Sequence, residues 1–196
     1  MSDWLEAPAH AKVNLALVVG GLRADGKHEV VSVMERLSLA DTVAVRPAEA
    51  TRVVGFDGDT LVTSALEAVG AAGDGERFEA RIDKRIPVAS GLGGGSSDAA
   101  TALRLANSLL GSPLADDRLE TIAARLGADV PFFLRPGPQL ATGDGTTLEA
   151  VDLPRDYAVL LALPDGVSKR ATADVYRAFD DRAGARGFDA RAVALR

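Results

Sequence analysis

The stretch that most constrains how this chain folds runs Ile86-Pro87-Val88-Ala89-Ser90-Gly91-Leu92-Gly93-Gly94-Gly95-Ser96-Ser97-Asp98. It leads from a proline through four glycines in five residues into an alanine- and leucine-rich pattern that predicts a helix over Ala99 to Leu110. Glycines let backbone come close to a ligand, because no Cβ stands in the way. Ser96, Ser97 and Asp98 are residue types that cap helix N-termini. A glycine loop entering a helix presents unpaired N–H groups and the positive end of a helix dipole, which together suit a phosphate. The competing reading is a plain turn before an ordinary helix. Four glycines in five residues exceed what a turn requires, and phosphate binding is the better expectation.

Composition narrows the classes. Hydrophobic residues make up 47% and charged residues 26% of 196 positions, as in a globular domain. The net charge of −6 speaks against a general nucleic-acid surface, although phosphate binding needs only a local array of donors. No cysteine is present, so disulfides and thiolate metal sites are excluded. His10 and His28 are the only histidines, too few for a histidine-rich metal centre, and no protein metal site is expected. The N-terminus lacks a basic segment followed by an apolar run, and no stretch reaches membrane-spanning length. A cytoplasmic location is the expectation.

Along the chain, Ala9 to Val19 alternates like a strand, which would put Lys12 and Asn14 on one face. From this stretch alone Lys12 reads better as a solvated lysine on an edge strand than as a site residue. A turn-rich loop ends at Gly26, and strands are predicted over Lys27–Val33 and Leu37–Val45. His28 is open to two readings, ligand contact or surface residue. A helix is predicted over Thr60–Ala72, a half-buried strand over Phe78–Ile86 and a short helix over Leu119–Leu126. Gly127 to Leu134 reads as a strand-like apolar run in which Asp129 is either a structural cap or an acid kept partly dry for chemistry. Gly143-Asp144-Gly145 marks a hairpin, Tyr157–Leu163 a further strand, and Ala171–Arg182 and Ala190–Leu195 two helices.

Four ordered motifs carry a family resemblance. Pro87 to Ser97 resembles the glycine-rich phosphate loop of the GHMP kinase superfamily, which includes galactokinase and the homoserine and mevalonate kinases. Ala11-Lys12-Val13-Asn14-Leu15, Asp25-Gly26-Lys27-His28-Glu29 and Leu126-Gly127-Ala128-Asp129-Val130-Pro131-Phe132-Phe133 resemble motifs of one branch of it. That branch phosphorylates the 2-hydroxyl of a diphosphocytidyl methylerythritol, on the non-mevalonate route to isoprenoid precursors. The resemblance implies an α+β, two-domain GHMP kinase fold. A ribosomal-protein-S5-domain-2-like N-terminal domain would occupy residues 1–154, and residues 155–196 would begin an incomplete ferredoxin-like C-terminal domain.

It also implies an ATP-dependent small-molecule kinase using magnesium. Lys12 and Asp129 would be the reacting pair, with Asp129 accepting the hydroxyl proton and Lys12 offsetting charge near the γ-phosphate. Pro87, Val88, Ala89, Ser90, Gly91, Leu92, Gly93, Gly94, Gly95, Ser96 and Ser97 would bind ATP, with the Ser97 hydroxyl on phosphate or magnesium. Asn14, Lys27, His28, Thr172 and Tyr176 would bind the substrate, His28 at its cytosine end. The partners would be that diphosphocytidyl sugar alcohol and ATP, without nucleic acid or membrane, for a monomer or homodimer. Two departures stand out. Lys27 occupies a position where the family has an aromatic residue, and the family continues well beyond position 196, so a C-terminally shortened form is expected. The alternatives are another GHMP small-molecule kinase, or an ATP-binding remnant without turnover.

Overall fold

The computed structural model describes residues 3–57, 59–111, 114–154, 156–163 and 172–195, with the backbone alone at 172 and 173. The chain is a mixed α+β protein that forms two compact units, Met1–Lys12 with Leu37–Pro136, and Val13–Arg36 with Gly137–Arg196. Two paired strands, β1 (Leu5–Leu22) and β2 (His28–Pro47), carry the chain from one unit to the other. The two strands predicted over Lys27–Val33 and Leu37–Val45 are thus a single long β2. Met34-Glu35-Arg36 between them holds no glycine or proline to break it.

In the first unit, β3 (Arg52–Val54) pairs parallel with β4 (Phe78–Asp83), which pairs antiparallel with β2 from Thr42↔Asp83 to Pro47↔Phe78. Phe78, Ala80 and Ile82 alternate along β4 and are buried, as period-two spacing predicts. Removing a side chain the size of Phe78 or Ile82 from water contributes about 1.5–3 kcal/mol. Glu79, on the opposite face of β4, is also buried, and its carboxylate is held by Arg52 and Arg46.

Four helices complete this unit: α1 (Leu61–Ala72), α2 (Gly94–Leu109), α3 (Asp116–Leu126) and α4 (Val130–Leu134). In α1 the buried Val62, Ala65, Leu66 and Val69 recur at helical spacing, and Ala99, Ala102, Leu103 and Ala106 do so in α2. The many alanines let α1 and α2, which pack on each other, approach closely. Thr60 sits at the N-cap of α1 without a capping bond. Asp59 does that work instead, accepting from the N–H groups of Val62 (2.8 Å) and Thr63 (3.3 Å).

Two expectations are corrected here. The run after Gly127 is a helix, α4, rather than strand-like. All five residues of α4 are buried, so its sequence shows no amphipathic period, and Pro131 in its first turn suits a helix start. Helix α2 begins at Gly94 rather than Ala99, so Ser96, Ser97 and Asp98 lie inside its first turns rather than at its cap.

In the second unit, residues Val30–Met34 of β2 pair antiparallel with β5 (Gln139–Gly143), which forms a hairpin with β6 (Thr147–Ala150) across the glycine turn. Helices α5 (Thr172–Asp180) and α6 (Phe188–Val193) follow. Val31, Leu140 and Ala192 make a small core with Phe188, Val151 and Leu195 against it. The strand predicted over Tyr157–Leu163 does not form. The segment has no ladder partner among the described residues, and Leu160 is 92% exposed. An apolar run becomes a strand only where a neighbour takes its N–H and C=O groups.

Candidate active site

The glycine loop, in the first unit, follows Ile86 and ends at Gly93, the N-cap of α2. Three of its residues take the left-handed conformation: Ala89 (φ 58°), Gly91 (φ 82°) and Gly93 (φ 72°). Gly93 is demanded twice over, since a Cβ there would also lie 2.9 Å from Lys12 Cγ and 3.0 Å from Phe133 Cζ. Within the loop, the Ser90 N–H donates to Pro87 O (3.3 Å) and the Leu92 N–H to Ser90 Oγ (3.4 Å). The Ser97 N–H closes the first helical bond on Gly93 O at 2.9 Å. The N–H groups of Gly94, Gly95 and Ser96 therefore point out of the first turn with no intrahelical carbonyl to meet, and Gly93 supplies no side-chain cap. This sixteen-residue helix adds its dipole at the same end. Ser97, expected to offer its hydroxyl, is only 1% exposed, whereas Ser96 is half-buried.

Strand β1 brings Lys12 against this loop. Its N–H donates to Leu92 O at 2.9 Å, and its ammonium lies 3.3 Å from Asp129 Oδ2. The lysine side chain is buried and that of Asp129 is 41% exposed, so the pair presents a carboxylate to solvent over a dry cation. Asp129 is the N-cap residue of α4, yet its side chain makes no capping bond. Of the two readings open for this acid, capping is the one its geometry does not support. Arg135, just past α4, donates twice to Glu120 on α3 (2.8 Å each), and Arg104 on α2 bonds Leu134 O, so the short helix carrying Asp129 is fastened at its far end.

Behind the loop lies a cluster that reading the sequence missed. Lys84 Nζ bonds Asp41 Oδ2 at 2.5 Å and Asp98 Oδ2 at 2.7 Å. Asp41 is wholly buried and Asp98 is 1% exposed. Burial pushes the Asp98 carboxyl up to about 7, against the opposing pull of the Lys84 ammonium. Lys84 itself is raised: burial works to lower it, and the two aspartates outweigh that. The only sequence signal was Asp98 itself, which looked like a helix cap.

In the second unit, His28 and Tyr176 come together. Their rings stack with centroids 4.5 Å apart and planes 20° from parallel, and Phe179 meets the imidazole edge-on at 6.1 Å. His28 Nε2 is 2.9 Å from Asp180 Oδ1. Phe179 and Asp180 were not anticipated, although their spacing from Tyr176 on α5 places them one helical turn along. Lys27 reaches Asp144 Oδ2 at 2.6 Å, and that bond, with a second from the Thr146 hydroxyl, holds the Asp144 carboxyl down at about 2. Asn14 is half-buried on β1. Thr172 opens α5, and its side chain lies outside the described residues.

Residues 60–137 match the GHMP kinases N terminal domain. A 4-diphosphocytidyl-2-C-methyl-D-erythritol kinase of Desulfitobacterium hafniense is 41% identical over 182 residues, covering 90% of this chain and 62% of the relative. The protein of the same name from Pelotomaculum thermopropionicum is 43% identical over 200 residues, covering 96% of this chain and 68% of the relative. A crystal structure of 4-(cytidine 5'-diphospho)-2C-methyl-D-erythritol kinase superposes with a TM-score of 0.67 at 36% identity, over 76% of this chain and 56% of that one. The chain thus spans about three-fifths of the length of the curated relatives it matches. A dry lysine paired with an exposed aspartate at a glycine loop, and homology running through both units, lead to one conclusion: the chain belongs to the 4-diphosphocytidyl-2-C-methyl-D-erythritol kinase family of the GHMP kinases.

Proposed function

We propose that the protein transfers the γ-phosphoryl group of ATP to the 2-hydroxyl of 4-diphosphocytidyl-2-C-methyl-D-erythritol, a step toward isoprenoid precursors. The observation that carries this reading is the Lys12–Asp129 pair, 3.3 Å apart, whose lysine touches the loop at Leu92 and Gly93. The first-turn N–H groups of α2 cradle the ATP phosphates. The exposed carboxylate of Asp129 accepts the hydroxyl proton as the acceptor oxygen attacks, and the Lys12 ammonium offsets charge that develops during transfer. Lys27, His28 and Tyr176 take the cytosine end, and Asn14 contacts the substrate as well.

Magnesium fits this site as an ion carried in by the nucleotide. Among the described residues no three His, Cys, Asp or Glu side chains gather to hold a metal. Magnesium commonly keeps several waters and binds through substrate phosphates, and the half-buried Ser96, more open than the buried Ser97, is the loop hydroxyl placed to meet it. When bound, it would neutralise phosphate charge.

The test is transfer of labelled γ-phosphate from ATP to the diphosphocytidyl alcohol by the purified protein. Asp129→Asn should lower turnover by about a hundredfold or more, with binding of a non-hydrolysable ATP analogue retained. Transfer to mevalonate or homoserine in place of that alcohol would instead assign another GHMP kinase. Nucleotide binding with transfer to none of them would leave an ATP-binding form without turnover.

A further inference from the structure

We propose that Lys84, Asp41 and Asp98 form a node that ties the two ends of the phosphate loop together and so sets where its N–H groups point. All three are positioning residues, and the inference rests on the loop being the phosphate site. One oxygen of Asp41 accepts from the N–H groups of Arg85 (2.5 Å) and Ile86 (2.7 Å), the two residues immediately before Pro87. That fixes the loop's entrance. The other oxygen holds Lys84, whose ammonium also holds Asp98, five residues past Gly93 on α2. That fixes its exit. Both anchors therefore meet at one ammonium.

The packing agrees with this role. A Cβ on Gly94 would lie 3.2 Å from Lys84 Nζ and 3.1 Å from Ile86 Cγ2, so the first residue of α2 rests directly on the node and on the loop's entrance. Inside the loop the two bonds given above are long, at 3.3 and 3.4 Å, and three residues sit in the left-handed region. A loop with so little internal bonding takes its shape from where its ends are held. Two buried carboxylates on one ammonium are also a poor choice for stability alone, because apolar residues of similar size usually serve as well or better. Asp98 Oδ1 is buried with no hydrogen-bond partner among the described residues. That is a further cost which core packing alone does not account for.

The experiment compares amide hydrogen exchange in the whole chain for the wild type, Lys84→Met, Asp98→Ala and Asp98→Asn, alongside binding of a non-hydrolysable ATP analogue. Lys84→Met should speed exchange across residues 85–97 by about tenfold or more while amides of α3 stay as in the wild type, and analogue affinity should fall by a similar factor. Asp98→Ala releases only the exit, so its faster exchange should be confined to residues 93–97. Asp98→Asn keeps an acceptor for the ammonium and should recover most of that loss. If Lys84→Met does not fold, the Ala and Asn variants at 98 decide the matter between them. Unchanged loop exchange, or loop and α3 amides rising together, overturns the proposal. A wild type that binds no nucleotide overturns the kinase reading instead, and the exchange comparison then decides the node by itself.

Discussion

At the scale of single residues, the sharpest consequence concerns Asp98. Burial lifts its carboxyl to about 7, well above the ordinary value of 3.8, with Lys84 pulling the other way. The folded state thus binds the proton more tightly than the unfolded chain does. The residue's contribution to stability is complete below about pH 4, is lost as pH rises through 7, and then levels off. Asp98→Asn has no proton to lose. Measured by urea unfolding from pH 5 to 8, the variant should gain on the wild type by up to about 1.4 kcal/mol per pH unit over the lower part of that range. A difference that stays flat with pH would mean the carboxyl titrates where an ordinary aspartate does. Lys12 and Asp129 were within reach of sequence reasoning only through their motifs. Nothing in the alternation around Lys12 separates a buried ammonium from a solvated one, because the feature that dries it, Gly93 against its stem, lies 81 positions away in the chain (93 − 12).

At the scale of elements, the loop and α2 act as one piece. Gly93→Ala imposes a left-handed alanine, costing about 1 kcal/mol. It also thrusts a Cβ within 3.0 Å of Lys12 and Phe133. Overpacking of this kind costs about 1–3 kcal/mol in a tight interior. We therefore expect Gly93→Ala to lose stability by roughly that sum in urea unfolding and to lose phosphoryl transfer by more than about tenfold, since the clash falls on the lysine proposed to act in that transfer. Wild-type transfer in that variant would show that Lys12 can shift without consequence. Asp59→Ala should cost about 1 kcal/mol of stability and nothing in transfer, because the bonds its carboxylate makes among the described residues cap α1. These elements differ in how well they could be read. The spacing of α1, α3 and β4 announced them, since each carries its apolar residues on one face and polar ones on the other. Helix α4 did not, because a helix buried on every side carries no period. The start of α2 was misplaced because its first turn is made of glycines and serines, which ordinarily signal a loop.

For the whole molecule, the sequence identified the α+β class and the order of nearly every element. It failed at Tyr157–Leu163, where composition promised a strand and no ladder partner is found among the described residues. Leu160, 92% exposed there, should be replaceable by serine with a change in unfolding free energy within about 0.5 kcal/mol, and a larger loss would mean that it is covered in solution. His28 and Tyr176 were placed on one substrate by the resemblance alone, since nothing in the local pattern of a strand or a helix shows which partner folding will bring to it. Lys12 has one more consequence. In the proposed reaction it serves the loop through its backbone N–H and the chemistry through its ammonium, and the first of these survives replacement by any amino acid but proline. Mutational drift at this codon can silence the reaction and leave the cradle intact. A lineage that no longer needed the product could then keep the nucleotide pocket for some other use, with one substitution separating an enzyme from a sensor.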